Sequence, residues 1–456
     1  MTNEKQEVPR GAPSDSHTHI NPHVLAEGPG EKPSTTRASP TMSAFSTLLA
    51  IVAAACAAFV YAKSSSAVTG SSGAADIPPQ AVVVDPRTFA VIGAHGTFRS
   101  SSFSEFFNPT QTNPPFFQVF DPAFLTILGP SASISEVASN ADFAFAHEAP
   151  IYVPTLDQVF FASNDGGPLG RSDLDHNNQV EGISMADVEA AVKEAGAGAS
   201  VNVTVTKFDL PETIQMTNGG TGPYHSNLLL INSGRGPLPP NIALVNPSPP
   251  HNATVLVDNY YGRQFNSLND IKVHPSGNIF FTDVTYGFLN NFRPAPLMPN
   301  QVYRLDPRTL AVRVVATDFD KPNGIAFTQD GKTAYIADTG STAGFMGNNQ
   351  TAPATIYAFD VDARTQAFTN RRVFAYVDTG VPDGIQVDAG GNVYSGCGDG
   401  VHVWNDQGTL LGKFFIGTVS ANMVFAGDGR LVILGETKVF VAHIAAKEIS
   451  LSFPPE

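Results

Sequence analysis

Six oxygen-bearing side chains open six similar stretches of this chain: Glu148, Asn218, Asn269, Asn323, Asp383 and Asn422. The three clearest copies read NDIKVHPSGNIFFTD from Asn269, NGIAFTQDGKTAYIADT from Asn323 and DGIQVDAGGNVYSGCGDG from Asp383. In any one copy, Asn-Gly or Asp-Gly reads as a turn former, recruited for its backbone conformation. A turn has no use for Glu, yet Glu148 holds the equivalent place. Carboxylates and carboxamides brought to one point are hard oxygen ligands, of the kind Ca²⁺ takes at about 2.3–2.6 Å. No His/Cys constellation with zinc spacing competes. Whether the six do chemistry therefore depends on a fold that brings them together.

The repeat supplies that fold. In each clear copy a glycine (Gly277, Gly331, Gly391) follows the polar residue by eight positions, with apolar alternations such as Ile271/Val273 and Ile325/Phe327 between. A second apolar run follows the glycine, which makes each unit a hairpin. Third strands follow as QVYRLDPRT, TIYAFDVDA and VHVWND. The unit starts lie 39 to 70 residues apart. Six such units predict an all-β, six-bladed β-propeller. In a propeller the innermost strand of each blade runs along the central channel, so six strand starts meet at one mouth. The last unit is short, and a strand within Phe116 to Gly129 is expected to complete it and close the ring. The longest gap holds SMADVEAAVKEAG, Ser184 to Gly196, which reads as one helix with a Ser cap and a terminal glycine. Just before it, Asp173, Asp175 and Asn177 imitate a calcium loop. Asn178 stands where that loop needs glycine and Ser184 where it needs Glu, so a plain acidic surface loop is expected.

Composition agrees. Gly 40, Pro 35 and Phe 32 with only 15% charged residues describe a turn-rich all-β body. A net charge of −15 argues against a nucleic-acid partner. The sequence divides into a disordered polar tail (1–42), an uncharged apolar segment (43–62), a Ser/Gly/Ala linker (63–85) and the propeller (86–456). The segment 43–62 is long enough to cross a bilayer. It is read as a signal-anchor holding the propeller on the luminal or extracellular side. A cleaved signal peptide and a secreted protein are the alternative. Sequons at Asn202, Asn252 and Asn349 fit that route. Cys56 and Cys397 are not expected to pair. No obligate protein partner is evident.

The stretches HEAPIYVP…VFFASN, NSLNDIKVHPSGNIFFTDVTYG, PNGIAFTQDGKTAYIADT and VPDGIQVDAGGNVY together resemble the SMP-30/gluconolactonase/luciferin-regenerating-enzyme-like family. More narrowly, they are similar to its fungal lactonohydrolases. The resemblance covers roughly residues 116–456. It implies a six-bladed propeller with a divalent metal, usually Ca²⁺, in the channel. It also implies metal ligation by Glu148, Asn323 and Asp383, with Asn269 as a fourth ligand, direct or through water. A further structural divalent ion in the channel is left open. The chain departs from the family pattern at Ala149, Leu268 and Val284, which removes no ligand and bears on the substrate pocket.

That resemblance implies a lactone substrate. A carbonyl polarised by the metal would be attacked by water held at Asp383. A proton must then reach the leaving alkoxide, from His147 or Asp270. Strand alternation argues against both, since neighbours of a channel-facing residue should face away. Tyr286 and Asn218 are candidate substrate contacts. The competing readings are a phosphotriesterase-like hydrolase, a metal-free strictosidine-synthase-like propeller and a non-catalytic binding platform.

Overall fold

The structure is a computed structural model that describes residues 77–453. The expected tail and the apolar segment 43–62 lie outside the described residues. Among the described residues, no helix is long and apolar enough to cross a membrane.

Six four-stranded antiparallel units form a ring. The first blade comprises Glu148–Val153, Gln158–Ala162, Val180–Ser184 and Thr206–Phe208. The second runs from Thr217–Tyr224 to Ala253–Val257, the third from Leu268–Val273 to Ala311–Ala316, and the fourth from Pro322–Phe327 to Phe368–Tyr376. The fifth holds the four strands from Ile385–Val387 to Leu410–Phe415, and the sixth starts at Met423–Phe425. Each inner strand packs on the next, and Met423–Phe425 returns to Glu148–Val153, which closes the ring. Between blades lie buried apolar clusters, such as Ile271, Phe281 and Tyr303 with Leu229 and Ile231. Strand alternation sends these side chains into one neighbouring blade and the intervening Phe280 and Val302 into the other, where they meet Ile325 and Ile336.

The ring closes differently from the sequence expectation. The strand that completes the sixth blade is Ser133–Ser139, paired with Lys438–His443. Phe116–Val119 instead pairs with Leu410–Phe415 and widens the fifth blade. Phe124–Leu128 is a short helix whose Phe124, Ile127 and Leu128 are buried. Ala81–Val83, in the stretch read as linker, pairs parallel with Phe116–Val119. The apolar run FFQVF marked a strand correctly. Its place was misjudged because the polar-looking SISEVAS shows no clean alternation, yet it forms a strand with Ile134 and Val137 fully buried.

The helix Met185–Ala195 forms as expected, with Ser184 accepting from the Asp187 N–H and Gly196 ending it at φ 98°. The Asp173 loop is an Asx turn: one carboxylate oxygen accepts from the N–H groups of Asp175 and His176. Asn202, Asn252 and Asn349 are all exposed. Cys397 is buried and unpaired.

Candidate metal centre

The inner strands start at one mouth of the channel, and in the first four blades the start is irregular. A break in pairing register follows Glu148, Thr217, Leu268 and Pro322. Such bulges re-aim side chains that strict alternation would turn away, which is how adjacent residues come to share the mouth. In the first blade, Ala149 takes a left-handed φ of 53° to do so.

The glycines after the polar residues prove not to serve a turn. Gly219, Gly324 and Gly384 are absent from the left-handed region. They allow close approach between blades. A Cβ on Gly324 would lie 2.1 Å from the Asp383 carbonyl oxygen, one on Gly219 2.5 Å from that of Asn269, and one on Gly384 2.2 Å from the Asn422 side chain. Where Asn269 is followed by Asp270 instead, the Asp270 carboxylate accepts from the N–H groups of Ile271 and Ile325, 2.8 and 2.9 Å, and so links the third blade to the fourth. That spends both its oxygens on backbone and removes it as a proton donor.

The six polar starts then divide by role. Buried oxygens of Asn218, Asn269, Asn323 and Asp383, all Oδ1, have no hydrogen-bond partner among the described residues. Each such orphan costs about 1–3 kcal/mol unless something satisfies it. Glu148 is buried, and its Oε2 accepts from Asn422 Nδ2 at 2.8 Å. Asn422 Oδ1 is occupied by the Met423 N–H, so Asn422 orients Glu148 and offers no ligand oxygen. Asn218 Nδ2 donates to Asp165 Oδ2 at 3.0 Å, which turns its carbonyl oxygen to the unpartnered side.

His147, Glu148 and Asp383 present ligand atoms within 4.8 Å of one another. Two oxygens on opposite sides of a calcium ion are separated by about this much, given bonds of about 2.4 Å. The electrostatics agree with a site built for a cation. Burial and the Asp383 charge push Glu148 well above the ordinary carboxylate range. Burial lifts Asp383 to about 7, against the pull of His147, and lifts Asp165 to about 6. Acceptor oxygens without donors, on carboxylates driven toward protonation, are what a bound divalent cation relieves. The residues present therefore fit a hard metal held by Glu148, Asn269, Asn323 and Asp383.

Beside this set stands a pair that sequence reasoning half missed. His147 Nδ1 lies 2.7 Å from Glu436 Oε1, and Asn164 Nδ2 donates to Glu436 Oε2 at 3.1 Å. Burial opposes charge on His147, but Glu436, with Glu148 and Asp383, outweighs it and lifts the imidazole to about 10. Burial likewise opposes charge on Glu436, and His147 holds it below the usual range. Glu436, Asp165 and Asn164 all follow the second strand of a blade. That strand ends where the inner strand begins, as the Glu148–Ala162 pairing shows. The same rule, applied to LGETK and FFASND, could have found them.

Tyr286 opens the short helix Tyr286–Leu289 that follows Asp283, and its hydroxyl hydrogen-bonds the Thr339 hydroxyl. Asp283 and Asp338 point elsewhere: each clamps two backbone N–H groups ahead of its blade's inner strand. Asn202 and Asn252 lie on other loops, and Asn349 is exposed on the 339–354 segment that follows the second strand of the fourth blade.

Residues 148–434 match the SMP-30/Gluconolactonase/LRE-like region. A lactonohydrolase of Aspergillus oryzae is 28% identical over 70% of this chain and 71% of its own. A second lactonohydrolase of that fungus is 27% identical over 65% of this chain and 74% of its own. Among solved structures, a gluconolactonase of Xanthomonas campestris superposes with a TM-score of 0.55 at 26% identity, covering 72% of this chain and 94% of that one.

Proposed function

The chain belongs to the SMP-30/gluconolactonase/LRE-like family, and we propose that it is a Ca²⁺-dependent lactonohydrolase. The observation that carries the reading is the set of orphaned buried oxygens on Asn269, Asn323 and Asp383 beside Glu148. Oxygen-only ligation favours calcium over softer ions. The names of its relatives supply the substrate class, a cyclic ester.

A divalent cation in this set supplies Lewis-acid polarisation of a carbonyl. The remaining work falls to the chain. Asp383, whose Oδ1 has no hydrogen-bond partner among the described residues, serves as the base. Its carboxylate takes a proton from water as the water oxygen bonds to the lactone carbonyl carbon. The ring C–O bond breaks, and the alkoxide takes a proton from His147 Nε2, while Nδ1 stays on Glu436. The product is an open hydroxy acid; the proton on Asp383 returns to His147 through solvent. Glu436 fixes the imidazole orientation, and Asn422 and Asp165 fix Glu148 and Asn218.

The loops that follow the second strands are unequal in length. Long segments follow the second strands of blades one to four: 163–179, 233–240, 284–300 and 339–354. Blades five and six have tight turns there, at 398–399 and 435–437. Tyr286 belongs to the segment 284–300 and is placed to contact substrate.

The test is a panel of aldonolactones and simple alkyl lactones followed by pH-stat. The wild type should consume base on at least one, and Asp383→Asn should not, with an unchanged circular dichroism spectrum. Full activity in Asp383→Asn would sink the mechanism.

A further inference from the structure

The far end of the channel holds a second cavity, of about 340 Å³. It lies where the inner strands end, lined by Tyr152, Lys272, Phe327, Gln386, Val424 and Phe425 among others. The C-terminal segment crosses beneath it. The Ala389 N–H donates to the Lys447 carbonyl oxygen, which ties the segment to blade five. At its other end Phe453 packs 5.4 Å from Tyr224, and its carbonyl accepts from the His225 N–H of blade two. Glu448, Ile449, Ser450, Leu451 and Phe453 thereby become part of the cavity wall.

The polar groups of this wall are unequal. The Tyr152 hydroxyl is committed to Asp157, the Thr328 hydroxyl to Asp330 and Gln386 Nε2 to the Met423 carbonyl. The Lys272 ammonium has neither a hydrogen bond nor an ion pair among the described residues. Burial works against its charge, and only Asp270 and Glu148, farther up the channel, support it. Both have other engagements: the Asp270 oxygens hold two backbone N–H groups, and Glu148 belongs to the metal set. Glu448, the acidic residue of the lining, is exposed on the segment below. A cation turned from solvent without a partner is costly unless something pairs it.

We propose that this far cavity binds a small organic monoanion, a carboxylate carrying a short hydrocarbon chain. One ammonium matches one negative charge. The apolar surface of Val273, Phe327, Val387, Val424, Phe425 and Phe453 takes the chain. The volume stands at the lower end of ordinary ligand pockets, which run from about 300 Å³ upward. The site is separate from the metal mouth and does not rest on lactone hydrolysis.

Calorimetric titration with sodium hexanoate tests it, on the full chain in calcium-containing buffer. Saturable binding with a Kd of about 1 mM or tighter is expected. Lys272→Met should weaken it at least tenfold, and Asn323→Ala should leave it unchanged, which separates this cavity from carboxylate captured at the metal. Hexan-1-ol, with the same chain and no charge, should bind wild type at least tenfold more weakly; this arm stands even if Lys272→Met fails to fold. Equal binding by Lys272→Met, equal binding of hexanol, or loss of binding in Asn323→Ala overturns the proposal. So does binding that appears only in Glu448→Gln, because the tail carboxylate would then be the partner of the lysine.

Discussion

The two ends of the channel are made by the same six strands and differ in almost everything else. Where the strands begin, carboxylates and carboxamides crowd together, and four of their buried oxygens lack donors. Where they end, valines and phenylalanines line a cavity with one unpaired lysine. The difference teaches that a propeller strand does two jobs along its length. Its middle residues serve the packing between blades, and only its two ends are free to carry chemistry. The starting end has accumulated negative charge that burial makes unfavourable, as the raised Glu148 and Asp383 show. A fold holds such a set together when a cation is its partner.

If this contrast is right, damage at the starting end should abolish catalysis and damage at the finishing end should not. The largest effect is expected from Asp383→Asn, a loss of about 10²–10⁴-fold in kcat, the range for removing a general base. Stopped assays on purified variant, with calcium content measured in parallel, distinguish loss of base from loss of metal. Next comes Gly324→Ala. The new Cβ would meet the Asp383 carbonyl at 2.1 Å, and the backbone bearing Asp383 must shift. A displacement approaching 1 Å costs on the order of 10²-fold in rate, so activity should fall while the far cavity still binds hexanoate. An active Gly324→Ala would show that the close approach of blades is not what positions Asp383.

Glu436→Gln should cost about 10–100-fold, the usual effect of removing a partner that orients a working group. A merely structural Glu436 would lower Tm and leave the pH–rate profile in place. In the role argued here the acidic-donor limb of that profile moves to lower pH, because His147 loses the charge that raises it.

Much of this end was legible in sequence. The phrase repeated from Asn269, Asn323 and Asp383 located the inner strands, and the glycine eight residues on located the far hairpins. Glu148 and Asp383 announced themselves by holding the place of Asn. The structure changed the reading of the neighbours. Gly324 looked like a turn residue because Asn-Gly usually is one; only the adjacent blade reveals that the missing side chain makes room for Asp383. Alternation argued that His147 and Asp270 face away from the channel, and the bulges answer it differently for each. Asp270 is turned to the backbone of the next blade, and His147 reaches Glu436. Glu436 escaped notice because it approaches His147 only when the sixth blade meets the first, 289 residues apart in sequence. The closing strand was misplaced for the same reason: ring closure is a long-range event, and the more apolar of two strands that precede the first blade drew the assignment.

The same charges predict how stability follows pH. Asp383 is raised from 3.8 to about 7 in the folded, metal-free protein. The folded state therefore keeps a proton that the unfolded chain releases near pH 4. The associated stabilisation is complete below about pH 4 and is lost as pH rises through about 7. Chelated protein should thus lose Tm between about pH 4 and pH 7. Calcium should restore Tm most at the upper end of that range and flatten the slope. A Tm that is independent of both pH and calcium would remove the cation from the account.

The smallest effect is expected at the finishing end. Gly277 closes the far hairpin of the third blade at φ 85°, and a Cβ there would meet nothing within 4 Å. Alanine can occupy the space but pays in backbone conformation, about 1–2 kcal/mol for a left-handed residue. Gly277→Ala should therefore lower Tm by a few degrees and leave kcat and calcium affinity within twofold of wild type, about 0.4 kcal/mol. The two glycines of adjoining blades, Gly277 and Gly324, then separate two meanings of one residue type. At one end of the strand the glycine supplies a dihedral angle and touches only stability. At the other it supplies absent volume, and its replacement is transmitted through the Asp383 backbone to the reacting groups. Equal losses of rate in the two variants would mean that the ends of the channel are mechanically coupled and that the division of labour argued from their composition does not hold.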